Sequence, residues 1–282
     1  LSPKSFNNIS TDKLDENPWS LTSNVIEKVL EKININSEPV KTVLEGIFQG
    51  IVTTGDDIFY IEGNYQGNLF VGFSKRKNSE IVLEKEIVKP LLMGDDVKRF
   101  ILPKIKQYVI YPHSSKNGKT EPITENDFRS IYPYTYKYLS EFRAELVKKK
   151  IKYKTNPKYW YSLHRAREQS VFEQEKIITP YLSIKGNMTL DRNKFYTNAK
   201  CYNLIKKKDS LIDIKFLLAV LNSNVLWFFL KNTAAVFRGG YFAFTSDYLE
   251  NFPIKQVSLN QQNPFIQLVD HILSITKDGD YL

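Results

Sequence analysis

A chain of 282 residues, 42% hydrophobic and 25% charged, can bury a substantial core, which excludes a disordered or low-complexity protein. With 40 Lys and Arg against 31 Asp and Glu, the formal net charge is +9, so the expected partner is an anion: nucleic acid, with an acidic membrane surface as the competitor. One cysteine, Cys201, excludes an intrachain disulfide framework and a Cys-cluster zinc site, and makes a reducing cytoplasm the expected compartment.

Residues 1–17 are polar and read as a linker; with the helix that follows they form an expected connector over 1–38. Ile26, Val29, Leu30 and Ile33 recur at helical spacing within Leu21–Asn34. From 42 to 73, short apolar runs between glycines predict strands and turns, and Ser74-Lys75-Arg76-Lys77 a basic turn. Ile81–Gly94 reads as a strand followed by a short helix, and Lys106–Tyr111 as a strand. Residues 112–127 read as a polar loop. Pro133–Lys150 predicts one helix with Tyr136, Leu139, Phe142 and Leu146 on its stripe and three lysines at its end.

Trp160–Arg167 is aromatic and basic, and Lys176–Ile184 and Phe195–Ile205 predict two strands. The run Phe216–Leu230, broken at Asn222-Ser223-Asn224, predicts a buried helix capped by Asp213. It is too short to cross a bilayer, which needs ~20 residues, so no membrane partner is expected. That helix delivers Phe237-Arg238-Gly239-Gly240-Tyr241, a basic loop with two glycines. Asn263-Pro264 opens a final helix within 259–282. Strands and helices mix without regular alternation, so the fold class is α+β: short-strand mixed sheets with packed helices.

Catalytic patterns are not found. Asn156-Pro157-Lys158-Tyr159 lacks the second proline of an adenine-methyltransferase motif, and no glycine-rich cofactor loop precedes it. Asp96-Val97-Lys98 and Asp213-Ile214-Lys215 have the tripeptide form of a Mg²⁺-dependent nuclease without a partner carboxylate at strand spacing. His113, His164 and His271 show no metal-ligand spacing. No catalytic and no metal-ligating residue is assigned, and the chain alone is expected to be non-catalytic.

A series of segments, in order, resembles the TaqI-like C-terminal specificity domain of type II restriction-modification enzymes that methylate adenine. They are Leu44–Gly50 with Thr53, Thr54 and Phe59; Pro90–Phe100; Tyr132-Pro133, Tyr138-Leu139 and Arg143; and Trp160, Leu163 and Arg165. Lys176-Ile177 and Pro180, Leu221-Asn222-Ser223, Arg238–Tyr241 and Pro253-Ile254 complete them. Met93 and Asp95 stand where that family usually has arginines. The resemblance implies a target recognition domain over 39–258 that reads double-stranded DNA. An upstream domain of the same polypeptide would methylate adenine at N6, with a nuclease domain as a further option.

The start at Leu1 fits a piece of such a longer polypeptide. S-adenosylmethionine and Mg²⁺ are then expected for the full-length enzyme and not for this chain. Candidate DNA-binding residues are Thr53, Thr54, Lys75, Arg76, Lys77, Ser114, Ser115, Lys116, Arg165, Lys185, Arg238 and Tyr241. The alternatives are a Mg²⁺-dependent nuclease, and a protein-interaction module using the apolar faces of the terminal helices.

Overall fold

The computed structural model describes residues 24–101 and 104–276. The linker predicted over 1–17 and residues 21–23 of the predicted first helix lie outside the described residues; the helix observed is Asn24–Asn34. Two sheets carry the fold, each with its own core, and the mixed α+β architecture follows from them.

The larger sheet has six strands in the spatial order Tyr196–Thr197, Val88–Leu92, Gln107–Ile110, Tyr60–Gln66, Leu69–Ser74 and Ser79–Glu84. All neighbours are antiparallel except Tyr196–Thr197 beside Val88–Leu92. Strand residues alternate: Phe70 and Ser74, then Ile81 and Leu83, face inward, as a pleated sheet with one covered face requires. Helices Glu125–Ile131, Pro133–Ser140 and Arg143–Lys152 belong to this lobe, and Phe128, Leu139 and Leu146 share its core with Phe59, Phe70, Trp160 and Phe172.

The smaller sheet has four antiparallel strands in the order Thr189–Asp191, Lys176–Pro180, Cys201–Lys206 and Leu44–Gln49. Helices Ile214–Leu221, Asn224–Thr233 and Leu259–Ile275 fill its core with Leu217, Leu221, Phe229, Leu230 and Val269. The last helix thus packs inside this lobe. Ser37–Pro39 pairs with Pro253–Lys255, closing the lobe by joining its two sequence ends.

Several elements differ from expectation. The helix predicted at the end of Ile81–Gly94 is the strand Val88–Leu92. A short apolar run fits either period, and Pro90 is tolerated because the two-residue neighbour pairs only Leu91 and Leu92. The helix predicted over Pro133–Lys150 is broken at 141–142, and Lys150 points inward, fully buried, rather than serving the helix end. The cap of Pro133–Ser140 comes from a remote strand: the Glu84 carboxylate accepts from the Tyr134 and Thr135 amides at 2.8 and 3.0 Å.

The strand predicted over Phe195–Ile205 is two strands in different sheets, joined by a turn at Asn198–Lys200. The last helix begins at Leu259, because Ser258 and Gln261 form a capping box that outweighs the start signal of Pro264. The polar loop 112–127 contains a hairpin, His113–Lys116 with Lys119–Pro122, turned by left-handed Asn117 and Gly118.

Candidate nucleic-acid interface

The interface is built on the helix break. Ile214–Leu221 starts at Asp213, whose Oδ1 accepts from the Lys215 amide at 2.7 Å. Ser223 then caps Asn224–Thr233, accepting from the Val225 amide at 3.2 Å, and the two helices meet at a 58° bend. Among the described residues no single helix is long and apolar enough to cross a membrane.

At the bend, buried Asn222 binds the Met188 backbone twice. Its Oδ1 accepts from the Met188 amide at 2.9 Å and its Nδ2 donates to the Met188 carbonyl at 3.0 Å. Gly186 lies so close that a Cβ there would meet the Leu221 carbonyl at 3.1 Å. The bend therefore fixes the loop 183–188, in which Lys185 is exposed and its carbonyl accepts from Ser183 Oγ at 2.7 Å.

The same loop is joined to segment 94–100. Asn187 Nδ2 donates to the Val97 carbonyl at 3.0 Å, and the Phe100 amide to the Met188 carbonyl at 2.9 Å. Gly94 rests on Lys200, whose carbonyl a Cβ at 94 would meet at 2.9 Å. Between these pieces is a cleft of about 790 Å³. Lys98, Lys185 and Lys200 line it, with Asp95, Tyr181 and Tyr241. The three ammonium groups are exposed and have no hydrogen-bond or ion-pair partner among the described residues, so the cleft is electropositive.

A hairpin flanks the cleft. Val236–Phe237 pairs with Tyr241–Ala243, and the latter pairs with Leu182–Ser183. Phe242 is buried, with the Trp227 ring edge-on at 5.1 Å. Gly239 and Gly240 have φ of 85° and 77°, a backbone that a residue with a side chain adopts only under strain. Arg238 is exposed at the tip and has no carboxylate or carbonyl partner among the described residues.

A second basic region adjoins the first. The Arg165 and Val52 amides donate to each other's carbonyls at 2.9 Å, and Arg165 is exposed. Arg167 is committed to the fold, donating to Gln49 Oε1 at 2.7 Å and to the Gly50 carbonyl at 3.1 Å. Gln49 lies opposite Tyr202 in the sheet, the Tyr202 ring is 6.2 Å from Tyr181, and Tyr181 is 6.1 Å from Phe237. A continuous aromatic and polar track thus runs from Arg165 to the Arg238 hairpin. Behind Arg165, buried Lys150 donates to Ser162 Oγ at 2.7 Å and has no carboxylate partner among the described residues, and burial holds its pKa down at about 8. Burial first, then the Arg165, Lys150 and Arg167 charges, push His164 below the usual histidine range.

The candidate residues divide. Lys185 and Tyr241 line the cleft, Arg238 stands beside it, and Arg165 ends the track. Thr53 is buried and structural: it hydrogen-bonds Asp56 and accepts from the Gly55 amide at 3.2 Å. Thr54 is buried too, its hydroxyl without a partner among the described residues. Lys75, Arg76 and Lys77 form the predicted turn, but each is ion-paired: Lys75 with Glu62, Arg76 with Asp57 and Glu145, Lys77 with Glu141. Ser114, Ser115 and Lys116 lie on the 113–122 hairpin, with Ser115 and Lys116 exposed.

Lys98 and Lys200 were missed. Lys98 lies within the segment Pro90–Phe100, whereas Lys200 is brought to the cleft by the fold, where its carbonyl abuts Gly94 and accepts from the Tyr181 amide at 2.7 Å. The nuclease-like aspartates are both caps, Asp96 Oδ2 accepting from the Met93 amide at 2.9 Å and Asp213 as above. Among the described residues no group of three or more His, Cys, Asp or Glu could hold a metal ion.

The sequence profile of the TaqI-like C-terminal specificity domain matches residues 89–254, more than half of the chain. The chain belongs to this family. Segment 94–100, the 183–188 loop and the Arg238 hairpin all fall within the matched residues. The chain is similar to the type II restriction enzyme and methyltransferase RM.Eco57I of Escherichia coli, 22% identical over 89% of this chain and 26% of that protein. It is also similar to the type II methyltransferase M.MjaIV of Methanocaldococcus jannaschii, 26% identical over 70% of this chain and 63% of that one. The chain therefore spans less than two thirds of these relatives. The type IIL restriction-modification enzyme MmeI, solved in complex with DNA, shares the fold: TM-score 0.53 at 13% identity, over 86% of this chain and 29% of MmeI.

Proposed function

We propose that this specificity domain binds double-stranded DNA along the cleft face and reads a short sequence there. It thereby positions an N6-adenine methyltransferase domain of the same polypeptide on its site. The observation that carries this reading is the convergence of Lys98, Lys185 and Lys200 on one cleft beside exposed Arg238, all without internal partners among the described residues. Free cations on a fixed scaffold suit phosphates, which set register, and the net charge of +9 favours the encounter.

Family membership supports the reading, and so do the relatives, which are named restriction enzymes and methyltransferases. S-adenosylmethionine, any Mg²⁺ and the pocket for the extruded adenine belong, in this reading, to the polypeptide outside this chain. The setting is cytoplasmic, where the DNA is.

Fluorescence anisotropy of the chain with a pool of random duplexes tests this at low and at physiological salt. Binding that weakens steeply with salt is expected. Absent binding at low salt, or binding that salt leaves unchanged, counts against a DNA surface here.

A further inference from the structure

We propose that Arg238 is a specificity-determining residue, carried into the major groove on the two-stranded ribbon Val236–Ala243 and directed at a guanine. This rests on the reading of the chain as a DNA-recognition domain. Four observations carry it, and the first is shape. A two-stranded ribbon fits a major groove about 12 Å wide, and the turn residues after Arg238 are both glycines. Nothing lies within 4 Å of a Cβ built at Gly240, so open space surrounds the tip there.

The second is rigidity behind the tip. Phe242, Ala243 and Phe244 are buried, and Ala243 and Phe242 pair with Leu182 and Ser183. A side chain that discriminates bases needs such a fixed base of support. The third is exposed apolar surface on the ribbon: Val236 is 64% exposed, Phe237 38% and Tyr241 44%. Such side chains beside an arginine suit base edges and thymine methyl groups better than bulk water.

The fourth is chemistry. The cations lining the cleft are lysines, point charges that suit phosphates, whereas the tip carries a planar guanidinium fork. That fork matches O6 and N7 of guanine with two parallel hydrogen bonds. Arg76, Arg167 and Arg192 spend their forks on protein oxygens, and Arg238 does not.

The test is selection of preferred duplexes from a pool with randomised positions. It uses the 282-residue chain as wild type, R238A, R238K and a Lys98→Ala, Lys185→Ala, Lys200→Ala variant, all checked for folding by circular dichroism. R238A and R238K should each lose at least tenfold of guanine preference at one position and keep the remaining pattern. The lysine variant should weaken every duplex and keep the whole pattern. An unchanged motif in R238A overturns the proposal. So does a uniform loss of affinity with a salt slope smaller by about one, which marks a phosphate contact. A wild type that binds duplexes without preference overturns it as well, while leaving the DNA surface standing. No duplex binding at all removes the DNA reading itself.

Discussion

Two hairpin tips of this chain look alike on paper. Lys75-Arg76-Lys77 follows the strand Leu69–Ser74, and Arg238-Gly239-Gly240 follows Val236–Phe237. At the first tip every cation meets a carboxylate from elsewhere: Glu62 and Asp57 nearby, Glu141 and Glu145 from or beside the helix Arg143–Lys152. At the second, Arg238 meets none among the described residues. The interior repeats the contrast. Lys176 is fully buried against Asp191, which also accepts from the Asn193 and Phe195 amides. Lys150 is equally buried and, among the described residues, has only the Ser162 hydroxyl. What a cation does is decided by whether a distant segment supplies its counter-charge.

The largest effect should come from breaking the compensated buried pair. Asp191→Ala leaves Lys176 buried without a counter-charge, only the Phe172 carbonyl still accepting from it, and urea unfolding should show a loss of about 3–5 kcal/mol. A loss under about 1 kcal/mol would mean that the pair is dispensable.

Lys150 sharpens the comparison through pH. Its folded pKa, about 8, lies below the ordinary 10.5, so between these values the unfolded chain binds the extra proton. Its contribution is therefore least favourable below pH 8, and stability gains as pH rises from about 8 to 10.5, by on the order of 1–3 kcal/mol once solvent screening is allowed for. Lys150→Met should lack that rise. Identical pH dependence in the two proteins would place the charge in solvent.

At the surface, Arg238→Ala should lower affinity for a preferred duplex by about 10- to 100-fold, the size of one bidentate base contact of about 1–3 kcal/mol. Fluorescence anisotropy reads this directly, and a loss under about twofold would leave Arg238 outside the contact. Arg76→Ala should have the smallest effect. Affinity should stay within about twofold, and thermal unfolding should register about 0.2–1 kcal/mol, as for exposed ion pairs. A tenfold loss of affinity in this variant would erase the distinction between the two tips.

The sequence discloses those features whose cause is local. The Asp213 cap, the break at Asn222-Ser223 and the turn at Arg238-Gly239-Gly240 rest on neighbouring residues and were legible. So were the strands around the basic turn. Asn117-Gly118 is an equally local hairpin signal, hidden in a segment whose polar composition reads as a loop. Features set by remote partners were not legible. Glu84 caps a helix some fifty residues away, and Lys150 turns inward toward Ser162. The turn at Asn198–Lys200 splits one apolar run between two sheets. Buried strands with different partners read as one run when only their composition is seen.

The same rule governs the candidate site. Arg238, Tyr241 and Lys185 were named from loop chemistry, but no local pattern says that Lys98 and Lys200 converge on them. Thr53 is named through the family resemblance, and its partner Asp56, three residues on, is a local one that the sequence already offers.

The most direct test of the central claim is the salt dependence of duplex binding for wild type, Arg76→Ala and a Lys98→Ala, Lys185→Ala, Lys200→Ala variant, followed by anisotropy across a salt series. With the cleft lysines on phosphates, the triple variant should lose about three units of the slope of log affinity against log salt, while Arg76→Ala keeps the wild-type slope. Equal slopes in wild type and triple variant, or a slope lost in Arg76→Ala instead, would contradict a DNA surface on the cleft face.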